Sequence, residues 1–500
     1  MKGKVKMAKA LMIVGTGSDV GKSRIVTALC RYFSQRNVSV APFKAQNMAL
    51  NSYITVDGKE IGRAQGLQAD AAGIVASEHM NPILLKPSNP YASQVIVHGK
   101  PIAQMNFRDY RETKHEELKK IVQDSLAKLQ AEYDLILIEG AGSPVEMNLK
   151  DRDIVNMKVA EWANADVILV ADIDRGGVFA QIVGTLQLLT EEERKRVKGI
   201  FINKFRGDLQ LFQSGIEWIE KYTDIPVLAV FPFYPLPEWE EEDSVALQQK
   251  QKAKENADLD IVVVKYPYIS NYTDFIPLEL EEDVQIRYVN NVKEFGNPHV
   301  VILPGTKNTM EDLQFLQQSG FWQKIVDHVA QQRELVGICG GYQMLGERLL
   351  DPDLIESNVL SREGFAFFPM VTRFEKEKKT VRVKGKKVHS KLPIFGYEIH
   401  MGMVEWTEKQ EGMFLLENGT LEGFHHPNLP AWGTFIHGIF DSDHFRHEWL
   451  ERLREKYGLP PRKDRVAFSR RKEKMFENLE DWFIHSLRPV YVQFFDHYIF

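Results

Sequence analysis

The chain has 500 residues, 44% hydrophobic and 26% charged, so two or three globular domains are expected. A formal charge of −6 argues against a general nucleic-acid-binding protein. The sequence predicts no transmembrane helix, and two cysteines are too few for a disulfide framework, so we expect a cytoplasmic protein that binds no membrane.

Short apolar runs in the first part of the chain predict buried strands. They are ALMIVG at 10–15, YDLILIEG at 133–140, ADVILVAD at 165–172, VKGIFIN at 197–203 and IPVLAVF at 225–231. Longer amphipathic stretches separate them, which is typical of a parallel sheet covered by helices on both faces. The stretch after Pro232 is rich in proline, acidic residues, and then Lys and Gln. We therefore expect an α/β domain at 1–235 and a linker at 236–258.

A second alternating series follows the linker. Its apolar runs are IVVVKYP at 261–267, VQIRYV at 284–289, HVVILPG at 299–305 and LVGICGG at 335–341. This series predicts a second α/β domain at 259–447. We interpret the charge run between 373 and 391 as a solvated hairpin. A helical extension is expected at 448–500, and its aromatic end could pack on its own domain or on another subunit.

A glycine-rich loop follows the first predicted strand and precedes an amphipathic stretch. In a phosphate-binding loop, backbone N–H groups point at the phosphates. A lysine contacts the terminal phosphates, and a hydroxyl group binds Mg²⁺. Its candidate ligand-binding residues are Gly15, Thr16, Gly17, Asp19, Gly21, Lys22 and Ser23. The sequence therefore predicts ATP and Mg²⁺ as cofactors. The longer spacing resembles the loop of dethiobiotin synthetase and its relatives, which activate carboxylates with ATP.

Polar residues at other predicted strand ends are expected near the same crevice. Glu139 is the best candidate for a second Mg²⁺ contact, although an acidic residue at a helix start is an alternative. Lys44 could neutralise a phosphate or a substrate carboxylate, and Asn203 with Lys204 could contact the nucleobase. Asp172 and Asp174 lie at another strand end. For all of these except Glu139, a purely structural role is equally open.

The second motif is Gly337-Ile338-Cys339-Gly340-Gly341. A cysteine between a strand and a helix, flanked by glycines, is typical of a nucleophile elbow, where the helix N-terminus favours the thiolate. Cys30, within an amphipathic stretch, is expected to be inert. A nucleophilic cysteine needs a base. His437 in GTFIHGIF is preferred over His400 in YEIHMG.

The combined motifs resemble the cobyric acid synthase family over residues 8–445. GTGSDVGKS, FKAQNMALNS, GRAQGLQADAAG, IEGAGSP, ADIDRGGVFA and INKFRGD resemble its ATP-dependent half. LPGTKNT, GICGGYQMLG, FGYEIHMG and GTFIHGIFD resemble its class I glutamine amidotransferase half. The resemblance implies a P-loop NTPase domain of the dethiobiotin synthetase type followed by an amidotransferase domain.

The resemblance also implies the chemistry. Cys339 would attack the side-chain amide of glutamine, His437 would act as its base, and Gly305 and Gly340 would supply the oxyanion hole. The N-terminal domain would phosphorylate carboxylates of a corrinoid, adenosylcobyrinic acid a,c-diamide, for amidation at positions b, d, e and g. Most class I amidotransferases orient the histidine with a glutamate two residues later, where this chain has Ile439. What orients His437 is left open, as is the oligomeric state.

Four alternatives remain at this stage. Cobyrinic acid a,c-diamide synthase has the same architecture but acts on an earlier corrinoid. CTP synthase should carry the glutamate that Ile439 replaces. A partitioning ATPase places a lysine early in its P-loop and has no use for the cysteine domain. A non-hydrolysing C-terminal domain would conflict with the presence of Cys339 and His437.

Overall fold

The computed structural model describes residues 8–89, 92–106, 114–236, 239, 254 and 257–499. Most of the predicted linker, 236–258, therefore lies outside the described residues. The predicted domain limits remain a prediction.

The N-terminal half forms a parallel sheet with helices on both faces. Its strands are β1 (Lys9–Gly15), β2 (Val40–Phe43), β3 (Gln46–Met48), β4 (Ser52–Ile54), β5 (Glu60–Gly62), β6 (Ile83–Asn89), β7 (Ala92–Val97), β8 (Lys100–Asn106), β9 (Leu135–Glu139), β10 (Asp166–Asp172), β11 (Val197–Phe205) and β12 (Val227–Pro232). Its helices are α1 (Lys22–Ser34), α2 (Arg63–Ala72), α3 (His115–Glu132), α4 (Met157–Ala163), α5 (Val178–Leu188), α6 (Glu191–Arg196) and α7 (Leu209–Thr223).

The main N-terminal sheet has the strand order β12-β11-β10-β1-β9-β2, with every pair parallel. From β1 the chain passes to one side, first to β2 at the edge and then back to β9, and afterwards it passes to the other side, to β10, β11 and β12. The direction of the connections therefore reverses beside β1. The loop after Gly15 therefore lies at the topological switch point, where open α/β sheets bind ligands. The buried apolar runs of β1, β9 and β10 match the predicted strands because both faces of the sheet are covered.

The C-terminal half has a second sheet and a long antiparallel hairpin. Its strands are β13 (Leu259–Val264), β14 (Val284–Val289), β15 (Val300–Leu303), β16 (Glu334–Ile338), β17 (Arg348–Leu350), β18 (Ser361–Glu363), β19 (Met370–Lys387), β20 (Pro393–Trp406), β21 (Phe414–Leu416), β22 (Leu421–Glu422), β23 (Phe424–His425) and β24 (Ala431–Thr434). Its helices are α8 (Ile276–Glu279), α9 (Thr309–Gln318), α10 (Phe321–Ala330), α11 (Gly340–Met344), α12 (Asp443–Lys456) and α13 (Phe468–Ser486).

The second sheet has the order β14-β13-β15-β16-β24-β23 and is parallel except for β23. Because β15, β16 and β24 are neighbours, their carboxyl ends deliver three chain segments to one edge of the sheet. The predicted charged hairpin exists as β19 paired with β20. It is not merely solvated, however, because Lys378 is buried against Glu60 and Arg382 donates to the carbonyl of Ile54.

The chain returns to its N-terminal half at the end. The aromatic side chains of α13 and the following turn join the core around α1, where Trp482, Phe483, Phe495 and Tyr498 pack with Phe33. The Trp482 indole N–H donates to the carbonyl of Pro232. The extension therefore packs on the N-terminal half of its own chain, one of the two alternatives that the sequence left open.

Candidate active site

Three neighbouring strand ends assemble the cysteine site. Cys339 follows β16, His437 lies just beyond β24, and Gly305 lies just beyond β15. A Cβ on Gly305 would come within 2.7 Å of Cε1 of His437, and Cys339 and His437 line the same cavity. The Cys339 thiol donates to the carbonyl of Ile399 at 3.5 Å. The structure therefore brings together these sequence-predicted residues, although His437 lies 98 positions after Cys339 in the printed sequence.

Cys339 has the strained backbone of a nucleophile elbow. Its φ of 52° and ψ of −108° lie where a non-glycine residue is disfavoured. The turn is fixed because the Cys339 N–H donates to Thr434 and the Gly341 N–H donates to Pro304. Gly341 cannot be enlarged, since a Cβ there would lie 1.9 Å from the carbonyl oxygen of Leu303. Cys30 differs, because burial raises the pKa of its thiol far above the usual value.

Asp274 orients His437. The carboxylate Oδ2 lies 2.6 Å from Nδ1 of His437, and Oδ1 accepts the N–H of Gly438 at 3.0 Å. The His437 backbone is also held, through reciprocal hydrogen bonds with Tyr397. With Nδ1 engaged by Asp274, Nε2 is the nitrogen that can accept the thiol proton, and it lies 3.4 Å from Nδ2 of Asn271. The structure thus answers what replaces the expected glutamate at Ile439.

The electrostatics of this group favour an ion pair. Burial lowers the pKa of His437, but the negative charges of Asp274 and of a Cys339 thiolate outweigh it and raise the pKa to about 10. The imidazolium form of His437, beside Asp274, is therefore favoured near neutral pH. A thiolate paired with an imidazolium is the reactive form of nucleophilic cysteines.

The two candidate oxyanion-hole glycines are adjacent. A Cβ on Gly340 would lie 2.4 Å from Cγ2 and 3.3 Å from the backbone nitrogen of Thr306, the residue after Gly305. Gly340 is the first residue of α11, so its N–H has no intrahelical acceptor. A side chain at Gly305 would crowd His437, and one at Gly340 would crowd Thr306. The arrangement is one in which backbone N–H groups can face a developing oxyanion.

His400, the rival base, lines the same cavity but has other partners. Its Nδ1 lies 2.7 Å from the carbonyl oxygen of Gly402 and its Nε2 lies 3.2 Å from Glu398. Its ring stacks on Phe435. Both ring nitrogens are thus engaged away from Cys339, which supports the preference for His437.

The predicted phosphate-binding loop joins β1 to α1. Gly21 has a φ of 99°, and a Cβ there would lie 2.1 Å from Nδ2 of Asn203. Lys22 Nζ donates to the carbonyls of Gly17 and Gly142 at 2.9 and 3.2 Å. Thr16 and Asp19 flank the loop: Thr16 Oγ1 donates to Gln181, and Asp19 lies 3.8 Å from Arg175. The loop has the curvature and the lysine that a nucleoside triphosphate requires.

Glu139 is the centre of a buried polar cluster beside this loop. Its Oε1 accepts Ser23 Oγ and Lys44 Nζ, both at 2.8 Å, and its Oε2 accepts Gln68 Nε2 at 2.7 Å. Burial raises the pKa of Glu139, and Lys44 with the hydrogen bonds outweighs it, so the pKa falls below its ordinary value. An ionised carboxylate next to a hydroxyl suits a hard divalent cation.

Asn203 and Lys204 support the loop from β11. The Asn203 amide donates to the carbonyl of Val20 and accepts the N–H of Lys204, both at 2.8 Å. Lys204 Nζ donates to the carbonyl of Asp19 and pairs with Asp172. A nucleobase contact by Asn203 remains a prediction, and it would compete with these bonds. Asp174 pairs with Arg206 at 2.7 Å.

Sequence reasoning missed several residues of these sites. Asp274 lies 163 positions before His437 in the printed sequence, within a stretch without glycine punctuation. Gln68 lies inside a quoted motif, but nothing local links it to Glu139. The alternation of strands and helices in the second half could have indicated that the segment after β13 reaches the same edge of the sheet as His437. Which of its side chains meets His437 depends on the loop conformation, which no spacing rule encodes.

Comparison with known proteins agrees with both sites. Residues 11–245 match the CobQ/CobB/MinD/ParA nucleotide binding domain, and residues 260–445 match the CobB/CobQ-like glutamine amidotransferase domain. The chain is 47% identical over 495 residues to cobyric acid synthase of Geobacillus sp. (strain WCH70), covering 97% of each chain. It is 46% identical over 481 residues to cobyric acid synthase of Anoxybacillus flavithermus (strain DSM 21510 / WK1), covering 95% of each. This chain belongs to the cobyric acid synthase family.

Membership gives the coarse activity. The chain is a glutamine-hydrolysing, ATP-dependent amidating ligase of cobalamin biosynthesis. Its fold is the predicted one, a P-loop domain followed by a glutamine amidotransferase domain. Similarity over both halves removes the partitioning ATPase as an interpretation, because such a protein would match only the first. Among the described residues, no helix is long and apolar enough to cross a membrane.

Proposed function

We propose that this chain amidates the b, d, e and g side-chain carboxylates of adenosylcobyrinic acid a,c-diamide, giving adenosylcobyric acid. The observation that carries the proposal is the Cys339–His437–Asp274 arrangement in the same chain as a P-loop whose Ser23 meets Glu139. The first site suits glutamine hydrolysis and the second suits carboxylate phosphorylation. Similarity to cobyric acid synthases over nearly the whole chain supports the corrinoid acceptor. We place the reaction in the cytoplasm.

At the cysteine site, the Cys339 thiolate adds to the side-chain amide carbon of glutamine. The oxyanion of that adduct faces the N–H groups of Gly305 and Gly340. His437 gives its Nε2 proton to the departing nitrogen, so ammonia leaves and a glutamyl thioester forms. Water then attacks the thioester with His437 as its base, and glutamate is released. Asp274 holds the imidazole through both protonation states.

At the P-loop, ATP phosphorylates the substrate carboxylate. A carboxylate oxygen attacks the γ-phosphorus, the bond to the β-phosphate oxygen breaks, and ADP leaves. Lys22 turns from the loop carbonyls toward the terminal phosphates, and Lys44 is placed to neutralise a phosphate or the incoming carboxylate. Mg²⁺, when bound, neutralises phosphate charge, and Ser23 and Glu139 are the oxygen donors that would hold it.

Ammonia then attacks the acyl carbon, and phosphate leaves. We propose that ammonia passes between the sites inside the protein. The cavity at Cys339 is lined by residues of both halves, including Lys86 of β6 and Lys378 of β19, which supports a closed route. Free ammonium in the solvent would then exchange little with the ammonia in transit.

The test is mass spectrometry of the corrinoid after incubation with ATP, Mg²⁺ and glutamine labelled with ¹⁵N in its amide. The acceptor is adenosylcobyrinic acid a,c-diamide. Four labels per corrinoid, lost in Cys339→Ala and restored as unlabelled amides by ammonium, are expected. Added unlabelled ammonium should dilute the label little in the wild type if ammonia is channelled.

Other outcomes are equally informative. Labelling of cobyrinic acid but not of its a,c-diamide would assign the earlier synthase reaction instead. Four amidations whose ¹⁵N label is diluted freely by added ammonium would support the proposed acceptor and refute the proposed channel. No corrinoid product with either acceptor would refute the proposed function.

A further inference from the structure

The cavity at Cys339 contains charged groups that the chemistry above does not use. Its lining includes Lys307, Glu356 and Gln343 together with Cys339 and His437. A thioester mechanism needs only the nucleophile, the base and the oxyanion donors. The remaining polar groups are therefore available to recognise the rest of the substrate.

Glu356 is held in place before any ligand arrives. Its Oε2 accepts the N–H of Thr309 at 2.9 Å, at the start of α9. The loop that carries it is fixed by Asp351, whose carboxylate accepts the N–H groups of Ile355, Glu356 and Ser357. A carboxylate fixed on both sides in this way can serve as a rigid acceptor for a cation.

Lys307 presents the opposite charge to the same cavity. Two other lysines line the cavity, but Lys86 and Lys378 both form ion pairs with Glu60. Within the described part of the chain, neither Lys307 nor Glu356 has an oppositely charged side-chain atom within 4.0 Å. Each is nevertheless the largest charge acting on the other.

The ionisation of both groups shows the cost of leaving them apart. Burial lowers the pKa of Lys307, and Glu356 only partly compensates. Burial likewise raises the pKa of Glu356 to about 7. A ligand that carried one charge of each sign would restore the charged form of both side chains.

Gln343 adds an unsatisfied donor. It is 2% exposed and lies four residues after Cys339, hence on the same side of α11. Its Oε1 accepts Thr309 Oγ1 at 3.3 Å, whereas its Nε2 is buried without a hydrogen-bond partner. An orphaned buried amide nitrogen is costly unless a ligand oxygen meets it.

We propose that Glu356 binds the α-ammonium and Lys307 binds the α-carboxylate of free glutamine, directing its side-chain amide at Cys339. The zwitterion enters the gap between the two charges and satisfies both. This pair makes the site specific for the free amino acid, because a glutamine within a peptide carries neither charge. The inference rests on Cys339 as the glutaminase nucleophile.

The experiment removes one charge from the substrate and one from the protein. Hydrolysis is measured without ATP for L-glutamine, for glutaramic acid, which lacks the α-ammonium, and for 4-aminobutanamide, which lacks the α-carboxylate. The variants are Glu356→Gln, Lys307→Met and Cys339→Ala. Glu363→Gln and Lys324→Met remove exposed charges from the same half and are the matched controls. Alkylation by chloroacetamide, which has neither charge, reports whether the nucleophile is intact.

We expect Glu356→Gln to lower kcat/KM for glutamine about 30-fold, through KM, as for a lost charge-assisted hydrogen bond. Its activity on glutaramic acid should match that of the wild type within about twofold. Lys307→Met should behave in the same way with 4-aminobutanamide. Alkylation of Cys339 should stay within about twofold in both variants and in the controls.

Equal losses on glutamine and on the analogue that lacks the paired charge would overturn the inference, since they indicate a structural role. Unchanged KM for glutamine in both variants would also overturn it. If the analogues react too slowly to measure, the KM for glutamine with unchanged alkylation still decides the matter. Hydrolysis of glutamine by Cys339→Ala would refute the assignment of Cys339 as the nucleophile. That outcome is distinguishable from a failure of the inference about Glu356 and Lys307.

Discussion

Asp274→Asn is the sharpest test of how His437 is oriented. In the wild type, Oδ1 of Asp274 accepts the N–H of Gly438 and Oδ2 faces Nδ1 of His437. An asparagine can satisfy the Gly438 N–H only with its oxygen, so its NH₂ group must face Nδ1. Nδ1 then becomes an acceptor, and the proton moves to Nε2, the nitrogen that should accept the thiol proton. The substitution therefore keeps the shape and imposes the wrong tautomer.

The magnitude follows from two separate losses. A free thiol with a pKa of about 8.5 is only about 3% ionised near pH 7, so loss of the base costs about 30-fold. Loss of the imidazolium that protonates ammonia costs about another 10²-fold, the lower end for general acid catalysis. We expect kcat for glutamine hydrolysis to fall by about 10³. The corresponding loss in serine triads is about 10⁴, because a hydroxyl ionises less readily than a thiol.

The pH profile separates this mechanism from simple damage. Removing the carboxylate removes a charge that raises the pKa of His437, so the imidazolium form of His437 is no longer favoured near neutral pH. The variant then depends on ionisation of the thiol without a base. Its rate should rise about tenfold per pH unit up to the ordinary pKa of a free thiol, about 8.5. The wild type, with a His437 pKa raised to about 10, should change far less over that range.

The assay is glutamate release without ATP, together with urea unfolding. Asp283→Asn is the control, because Asp283 is a buried aspartate of the same half that pairs with Arg454 and Arg465, away from the cavity. It should lower stability without altering the pH profile. A kcat for Asp274→Asn within about threefold of the wild type, with an unchanged profile, would refute the reasoning.

Three further predictions concern the other sites. Lys22→Met should lower glutamine-dependent corrinoid amidation by at least about 10²-fold and leave ATP-independent glutamate release within about threefold, because it removes only phosphate stabilisation; equal loss of both would contradict this. Glu60→Gln leaves Lys86 and Lys378 buried without a counter-charge, so the free energy of unfolding in urea should fall by about 3–5 kcal/mol. Adding Lys378→Met should recover part of this loss. No loss, or no recovery, would be inconsistent with a buried ion triad. Phe483→Ala should cost about 3–5 kcal/mol of stability because Phe483 is 0% exposed in the core around α1, and a change below about 1 kcal/mol would show that α13 is not part of that core.

The local motifs were readable from the sequence because backbone constraints act over a few residues. A glycine-rich turn after β1 requires the positive φ of Gly21, and the elbow at Cys339 requires small residues on its helical side, where Gly341 meets Leu303. Buried apolar runs predicted the strands for the same reason, since a covered parallel sheet accepts little else. Glu139 was predicted because parallel strands deliver their carboxyl ends to one edge of the sheet, whereas His437 was preferred for its flanking glycines and for the family resemblance.

Several assignments needed the tertiary structure. The hairpin of β19 and β20 was interpreted as solvated from its charges, yet Lys378 is buried because Glu60 of the other half neutralises it. The aromatic residues at the end of the chain did not indicate which surface they pack on, because apolar side chains pack on any complementary face. Its packing on α1 depends on the shape of that face, which is built by residues more than four hundred positions away.

The sequence by itself therefore determined the two folds, and it predicted the phosphate-binding loop and the cysteine and histidine of the proposed glutaminase site. Only the tertiary structure decided that Asp274 orients His437, and that Lys307 and Glu356 face one cavity. The physical reason is the distance along the chain over which each kind of interaction acts. Turn geometry and alternation are set by neighbours in the chain, whereas a hydrogen bond between residues 163 positions apart depends on loop conformations fixed by the packing of the whole domain.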